Sequence, residues 1–149
     1  MQGAKKDYVG EKVAAWASAV SVLAKLAVKH PQAVYAGYTI CLQNEWQYLC
    51  RTTPDIAHLM ELLEQVLRNE LLPAFLGVEE ADVTNEFREQ LAFRVKGGGL
   101  GIRNPMAVAE EFYNTSHDCC NYIRGALMCR FGHLCTTVGH QCPIQSVSY

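Results

Sequence analysis

The sequence predicts an all-α fold: a helical bundle of about five helices, with a glycine-rich turn before the last helix and an irregular C-terminal tail. Apolar residues recur at intervals of three and four in several segments, which is the period of one helix face. A capping side chain precedes a proline at Thr53-Pro54 and again at Asn104-Pro105, and this pairing is typical of helix starts. The strict alternation that indicates strands is scarce, so helices packed on helices are the expected architecture.

The first two helices are predicted from their apolar residues. One face of a helix over residues 9–28 consists of Val9, Val13, Trp16, Val20, Leu23 and Ala27. Val22 and Leu26 widen that face, which predicts burial on more than one side. Pro31 should end this helix, because proline disfavours helical angles in the residue before it. A second helix is expected over about 32–50, and we interpret both tryptophans, Trp16 and Trp46, as core residues.

The third helix has the clearest predicted start. Thr53 can cap it, Pro54 fits the first helical position, and Asp55 favours the positive end of the helix dipole. Its apolar stripe contains Ile56, Leu59, Met60, Leu63, Leu67 and Leu71. Pro73 and Gly77 are expected to end it.

The last two helices lie on either side of the glycines. A fourth helix is predicted over about 79–93, where an apolar residue recurs every four positions. The fifth should begin at Asn104-Pro105 and carry on one side Phe112, Ser116, Cys119, Ile123 and Leu127. Beyond Cys129 neither helix nor strand period persists. The predicted division is therefore a helical domain over 1–129 and an irregular tail over 130–149.

Composition sets limits on function. Half of the 149 residues are hydrophobic, which is sufficient for one core, and the formal net charge is −2. Nucleic-acid binding would therefore require a local basic patch. Seven cysteines, an odd number, and a polar N-terminus indicate a reduced intracellular protein, cytoplasmic or nuclear. No apolar run reaches the roughly 20 residues of a membrane span, so no membrane association is expected.

Catalytic chemistry has little support in these residues. Metal-dependent polymerase or nuclease chemistry needs converging carboxylates, whereas the four aspartates are far apart and each can be explained as a cap or a surface residue: Asp7, Asp55, Asp82 and Asp118. Cys119 and Cys120 follow His117, but Cys119 falls on the apolar stripe of the last helix, which favours core packing. We therefore expect no catalytic residue and no cofactor in this chain.

A zinc site in the tail is an alternative. Five potential ligands lie close together in sequence: Cys129, His133, Cys135, His140 and Cys142. Cys135-x4-His140 matches part of a zinc knuckle, but Gly132 and Gln145 stand where the knuckle requires cysteines. Reduced, unpaired cysteines in an irregular tail are the competing interpretation.

The glycine-rich turn is the candidate binding site. The cations Arg94, Lys96 and Arg103 bracket four glycines, Gly97, Gly98, Gly99 and Gly101, and no acidic residue occurs over 90–109. Exposed amides and positive charge ahead of a helix that begins at Asn104 would suit a phosphate. The spacing matches neither the P-loop nor the dinucleotide fingerprint. The alternative is a tight turn between helices.

Three blocks of the sequence carry a family resemblance: YVGEKVAAWASAVSVLAKLAVKHPQAVYAGY, EWQYLCRTTPDIAHLMELLEQVLRNELLPAFLG and LAFRVKGGGLGIRNP. In order and spacing they resemble the region that follows the polymerase domain in retrotransposon reverse transcriptases. That region is similar in its Pro-Gln-Ala-x-Tyr helix, its Trp-x-Tyr-Leu-x-Arg-Thr turn and its Gly-Gly-Leu-Gly-Ile turn before Asn-Pro. The family usually has a proline and a leucine near the positions of Arg94 and Gly97, and residues 129–149 do not match it.

The resemblance implies a thumb-like fragment of an RNA-directed DNA polymerase. Such a thumb would lie against the RNA/DNA primer-template duplex and grip phosphates and minor-groove sugars without reading sequence. The expected contacts are the three cations with the glycine turn and Asn104: Arg94, Lys96, Gly97, Gly98, Gly99, Gly101, Arg103 and Asn104. The catalytic fingers and palm, with their aspartates and magnesium, would precede Met1, so the fragment would be inactive alone. Residues 55–90 carry nine acids and would have to face away from a duplex. A non-enzymatic helical protein-interaction module is the alternative.

Overall fold

A computed structural model describes residues 2–132, with side chains described over 6–128. This part of the chain contains helices and turns and no strand, which confirms the all-α prediction. The first two of its five helices are α1 (Gln2–Ala27) and a run made of α2 (Pro31–Ala36), a π-helical segment (Gly37–Leu42) and α3 (Gln43–Thr52). The third is a run of a 3-10 turn (Ala57–Met60), α4 (Glu61–Val66), a π-helical segment (Leu67–Leu71) and α5 (Leu72–Leu76). The fourth and fifth are α6 (Asn85–Ala92) and α7 (Pro105–Gly132), and short 3-10 turns occupy Glu80–Asp82 and Val95–Gly97.

The chain divides into two compact units. The first ends at Ser116 and the second begins at His117, within the residue range of α7. The predicted domain boundary at residue 130 stays a prediction, because most of the predicted tail lies outside the described residues. None of the helices described is long and apolar enough to cross a bilayer.

The core of the first unit forms between α1 and the two long helical runs. One face of α1 is buried as predicted, and Trp16 and Trp46 are both core residues. Val22 and Leu26 remain 54% and 48% exposed, so the prediction that α1 is buried on more than one side is wrong. Within the core, burial raises the pKa of Cys50 to about 11.

The third helix begins later than predicted. Thr53 is extended and closes the end of α3, because its amide donates to the carbonyl of Leu49 at 3.0 Å. Asp55 has a left-handed φ of 57°, which turns the chain before the helix begins at Ala57. Thr53 and Pro54 therefore form a turn, and Thr53 does not cap the third helix.

The ends of the other helices agree better with the sequence. Gly77 is left-handed, with φ 69°, and ends α5 as predicted. Pro73 does not end the helix; it follows the π-helical segment Leu67–Leu71, where the backbone pairing is already shifted. At the start of α7, the Asn104 side chain accepts hydrogen bonds from the amides of Met106 and Ala107, at 2.9 and 3.2 Å, which confirms the predicted cap.

The predicted apolar stripe of the last helix is only partly buried. Phe112 and Ser116, in the first unit, are half-buried, whereas Cys119, Ile123 and Leu127, in the second unit, are exposed. The prediction that Cys119 packs in the core is therefore wrong. Helical spacing places residues on one face, but burial requires a surface against that face, and spacing alone does not supply one.

Candidate nucleic-acid interface

The glycine turn is folded inward along its backbone. Every amide over residues 97–102 donates to a carbonyl of the preceding segment. The pairs are Gly97 to Arg94 (2.7 Å), Gly98 to Val95 (3.1 Å), Gly99 to Arg94 (3.2 Å), Leu100 to Leu91 (3.1 Å), Gly101 to Phe93 (2.8 Å) and Ile102 to Leu91 (3.1 Å). Leu91 lies in the last turn of α6, whose final carbonyls have no partner within the helix. The turn therefore closes the C-terminus of α6.

Three of the glycines are required by this path. A Cβ at Gly99 would overlap the carbonyl oxygens of Phe93 and Gln90. Gly98 and Gly101 have left-handed φ values of 84° and 70°, which other residues rarely adopt. The expectation that these amides are exposed to bind a phosphate is wrong, because the carbonyls of their own segment already occupy them.

Side chains from the second helical run hold the carbonyl side of the turn. The Tyr35 hydroxyl donates to the carbonyl of Leu100 at 2.6 Å. The Gln43 amide group donates to the carbonyl of Gly101 at 3.0 Å and accepts from the amide of Arg103 at 3.1 Å. Gln43 is buried and these bonds are partly buried, so they fix the position of the turn against α3.

A buried ion pair completes this support. Arg88 donates from Nε and Nη2 to the two carboxylate oxygens of Glu64, both at 2.7 Å. The same guanidinium donates to the carbonyls of Ile102 and Arg103, at 2.7 and 3.2 Å. Arg88 is 4% exposed and Glu64 is 8% exposed. No sequence motif indicated this pair, because the two residues are 24 positions apart.

The predicted cations lie on the outer side of the turn. Arg94 and Lys96 are exposed and Arg103 is half-buried; these three residues are called the cationic edge. Among the described residues no ion pair includes any of the three. The Asn104 side chain caps α7, and the glycine amides bond within the turn. The three cations are therefore the groups of the turn that remain for a phosphate.

Arg51 also lies beside the cationic edge, although it was not among the predicted contacts. Its guanidinium carbon lies 5.4 Å from the centroid of the Phe112 ring, and that of Arg103 lies 5.1 Å from the same centroid. Gln43, Gln47 and Arg51 follow one another at intervals of four on α3 and so share a helix face. That spacing was the available signal.

A groove of about 550 Å³ lies beside the cationic edge. Its walls contain two arginines, two phenylalanines and two acidic residues: Arg94, Arg103, Phe93, Phe112, Glu89 and Glu111.

A separate pocket of about 870 Å³ contains more acidic residues, namely Glu61, Glu64, Glu79 and Glu80. The lining residues of the two pockets differ, but Arg88 of the groove bonds to Glu64 of the acidic pocket, so the two pockets are neighbours.

The zinc candidates Cys129, His133, Cys135, His140 and Cys142 lie outside the residues whose side chains are described. Within the described part of the chain, no group of three or more histidines, cysteines or acidic residues could hold a metal ion.

Comparison of the chain with models of known protein families, with curated proteins and with solved structures finds no match. The likeness to retrotransposon reverse transcriptases therefore rests on the sequence blocks quoted above.

Proposed function

We propose that this chain is the thumb-like portion of a retroelement reverse transcriptase, without catalytic activity of its own, and that it binds the backbone of an RNA/DNA primer-template duplex. The observation that carries the proposal is the cationic edge: three positive side chains project from a turn whose backbone is held from within, and no described carboxylate forms an ion pair with them. The ordered sequence blocks supply the family.

The arrangement suits a contact that does not read sequence. Arginine and lysine neutralise phosphates and release counterions, which provides affinity independent of base identity. A turn fixed by Tyr35, Gln43 and Arg88 holds its cations in one place, so less ordering is needed when a duplex binds. The amides of the turn take no part in this proposal.

The test is a salt titration of binding to an RNA–DNA hybrid by the full chain and by the variants Lys96→Ala and Arg103→Ala. Each variant should bind more weakly and should reduce the slope of log K against log salt by about 1. Lys25→Ala is the matched control, because Lys25 is exposed on α1 and has no described ion pair. Unchanged affinity in both test variants would overturn the proposed contact.

Protein interaction is the second candidate, favoured by apolar side chains in the second unit. Four of them are exposed: Tyr122 (79%), Ile123 (56%), Leu127 (49%) and Met128 (71%). Exposed apolar clusters of this kind mark interaction surfaces. A chain that sediments as a stable oligomer and binds neither heparin nor the hybrid would favour this function over the first.

A further inference from the structure

We infer that Arg51 and Arg103, whose guanidinium groups both contact the ring of Phe112, form a phosphodiester-binding site that extends the cationic edge. These three residues are called the arginine–phenylalanine cluster. The inference rests on the proposed function for its ligand, a strand of the duplex. It adds two residues, Arg51 and Phe112, and a geometry that the family resemblance did not assign.

The fold brings the cluster together from three separate elements. Arg51 is in the last turn of α3, Arg103 leaves the glycine turn, and Phe112 lies in the part of α7 that belongs to the first unit. The guanidinium carbons lie 5.4 and 5.1 Å from the Phe112 centroid, which is within the range of a cation–π contact. One aromatic ring therefore positions two arginines.

The backbone beneath the cluster is fixed. The Arg103 amide donates to Gln43, two helical turns before Arg51 on the same face of α3, and the Arg103 carbonyl accepts from Arg88. The relation between α3 and the turn is thus set by a partly buried hydrogen bond. Arg51 is exposed, so its guanidinium can reach a ligand without displacing core residues.

The charges of the cluster favour binding of an anion. Two guanidinium groups beside one ring repel each other, and among the described residues neither forms an ion pair with a carboxylate. A ring contact orients the two groups but does not neutralise them. A bound anion would remove the repulsion, which makes this cluster different from scattered surface arginines.

The chemistry of the site favours phosphate groups in a strand. Planar guanidinium groups donate pairs of hydrogen bonds to phosphate oxygens. Arg103 and Phe112 also line the groove that contains Arg94, and Arg51 contacts the same Phe112 ring. Several arginines close together suit successive phosphates of a strand, whereas Glu89 and Glu111, which line the same groove, repel an anion there.

The experiment measures binding of a fluorescent RNA–DNA hybrid at several salt concentrations by the full chain and by Arg51→Gln. We expect about tenfold weaker binding for Arg51→Gln, the effect of one charged hydrogen-bonding group, and a salt slope lower by about 1. Arg51→Lys should lose about threefold with an unchanged slope, because it keeps the charge and loses the planar fork. Lys25→Gln is the control and should bind as the unaltered chain does.

The variant Phe112→Leu tests whether the ring positions the two arginines, without any change of charge. It leaves the net charge unaltered, yet it should weaken hybrid binding about threefold, because the ring that orients both arginines is gone. Thermal unfolding of each variant shows whether the fold is retained, and Arg51, being exposed, can be replaced without loss of the core.

The outcomes distinguish the two proposals. If the unaltered chain binds the hybrid and Arg51→Gln binds equally well, the cluster is overturned while the proposed function stands. If the unaltered chain does not bind the hybrid, both are overturned. If polyglutamate competes with the hybrid as effectively as an oligonucleotide does, the site binds carboxylates as well and its assignment to phosphodiesters is overturned.

Discussion

Arg88 and Arg103 belong to the same region of the glycine turn but have different surroundings. Arg88 is buried, pairs with both oxygens of Glu64 and donates to two carbonyls of the turn. Arg103 is half-buried, contacts a phenyl ring, and among the described residues forms no ion pair. An arginine that makes four hydrogen bonds inside the protein stabilises the fold, whereas one whose charge has no carboxylate partner is available to a ligand.

Loss of the buried Arg88–Glu64 ion pair should have the strongest effect on stability. Arg88→Met should lower the free energy of unfolding by about 3–5 kcal/mol, because Glu64 would remain buried and charged without its partner. Urea unfolding followed by circular dichroism measures it. The double variant Arg88→Met/Glu64→Leu should recover part of the loss, but not all, because the carbonyls of Ile102 and Arg103 would still lack their donor. A loss below about 1 kcal/mol in Arg88→Met would contradict the role assigned to this pair.

A somewhat smaller effect is expected at Gly99. Gly99→Ala should cost about 2–3 kcal/mol, because the added methyl group overlaps backbone carbonyls and not flexible side chains. Gly10→Ala is the matched control: Gly10 lies in α1 with open space around its Cβ position, so alanine should stabilise the protein by about 0.5–1 kcal/mol. Equal stability of the two variants would show that the turn can take another path.

The smallest effect on stability is expected for a substitution at the exposed Arg94. Arg94→Gln should change the free energy of unfolding by less than about 0.5 kcal/mol, since its side chain is exposed and no described ion pair depends on it. The same variant should bind the RNA–DNA hybrid less tightly than the unaltered chain. A loss of stability comparable to that of Arg88→Met would mean that Arg94 supports the fold instead of a surface.

Much of the helix pattern could be predicted from the sequence, because its signals are local. The cap at Asn104, the left-handed end at Gly77 and the buried face of α1 depend on residues close together in the chain. The signal at Thr53-Pro54 failed because the same two residues also suit a turn, and the left-handed Asp55 decides between them.

The interior of the candidate site could not be predicted in the same way. A glycine-rich turn was expected, but its amides bond to the carbonyl end of α6, which the sequence could not reveal. Glu64 and Arg88 meet across 24 residues, and Gln43 reaches Arg103 across 60. Such pairs depend on how helices pack, and the chain contains several acids and amides that would have served equally well by spacing alone.

The carbonyl of Leu91 accepts hydrogen bonds from two amides, those of Leu100 and Ile102. Fraying of the last turn of α6 would break both bonds at once and would release the segment that bears Arg103. Helix end and turn should therefore open as a single cooperative unit, with amide hydrogens on both sides showing the same free energy of opening in hydrogen exchange. Any bound strand that slows this opening would protect amides that it never touches.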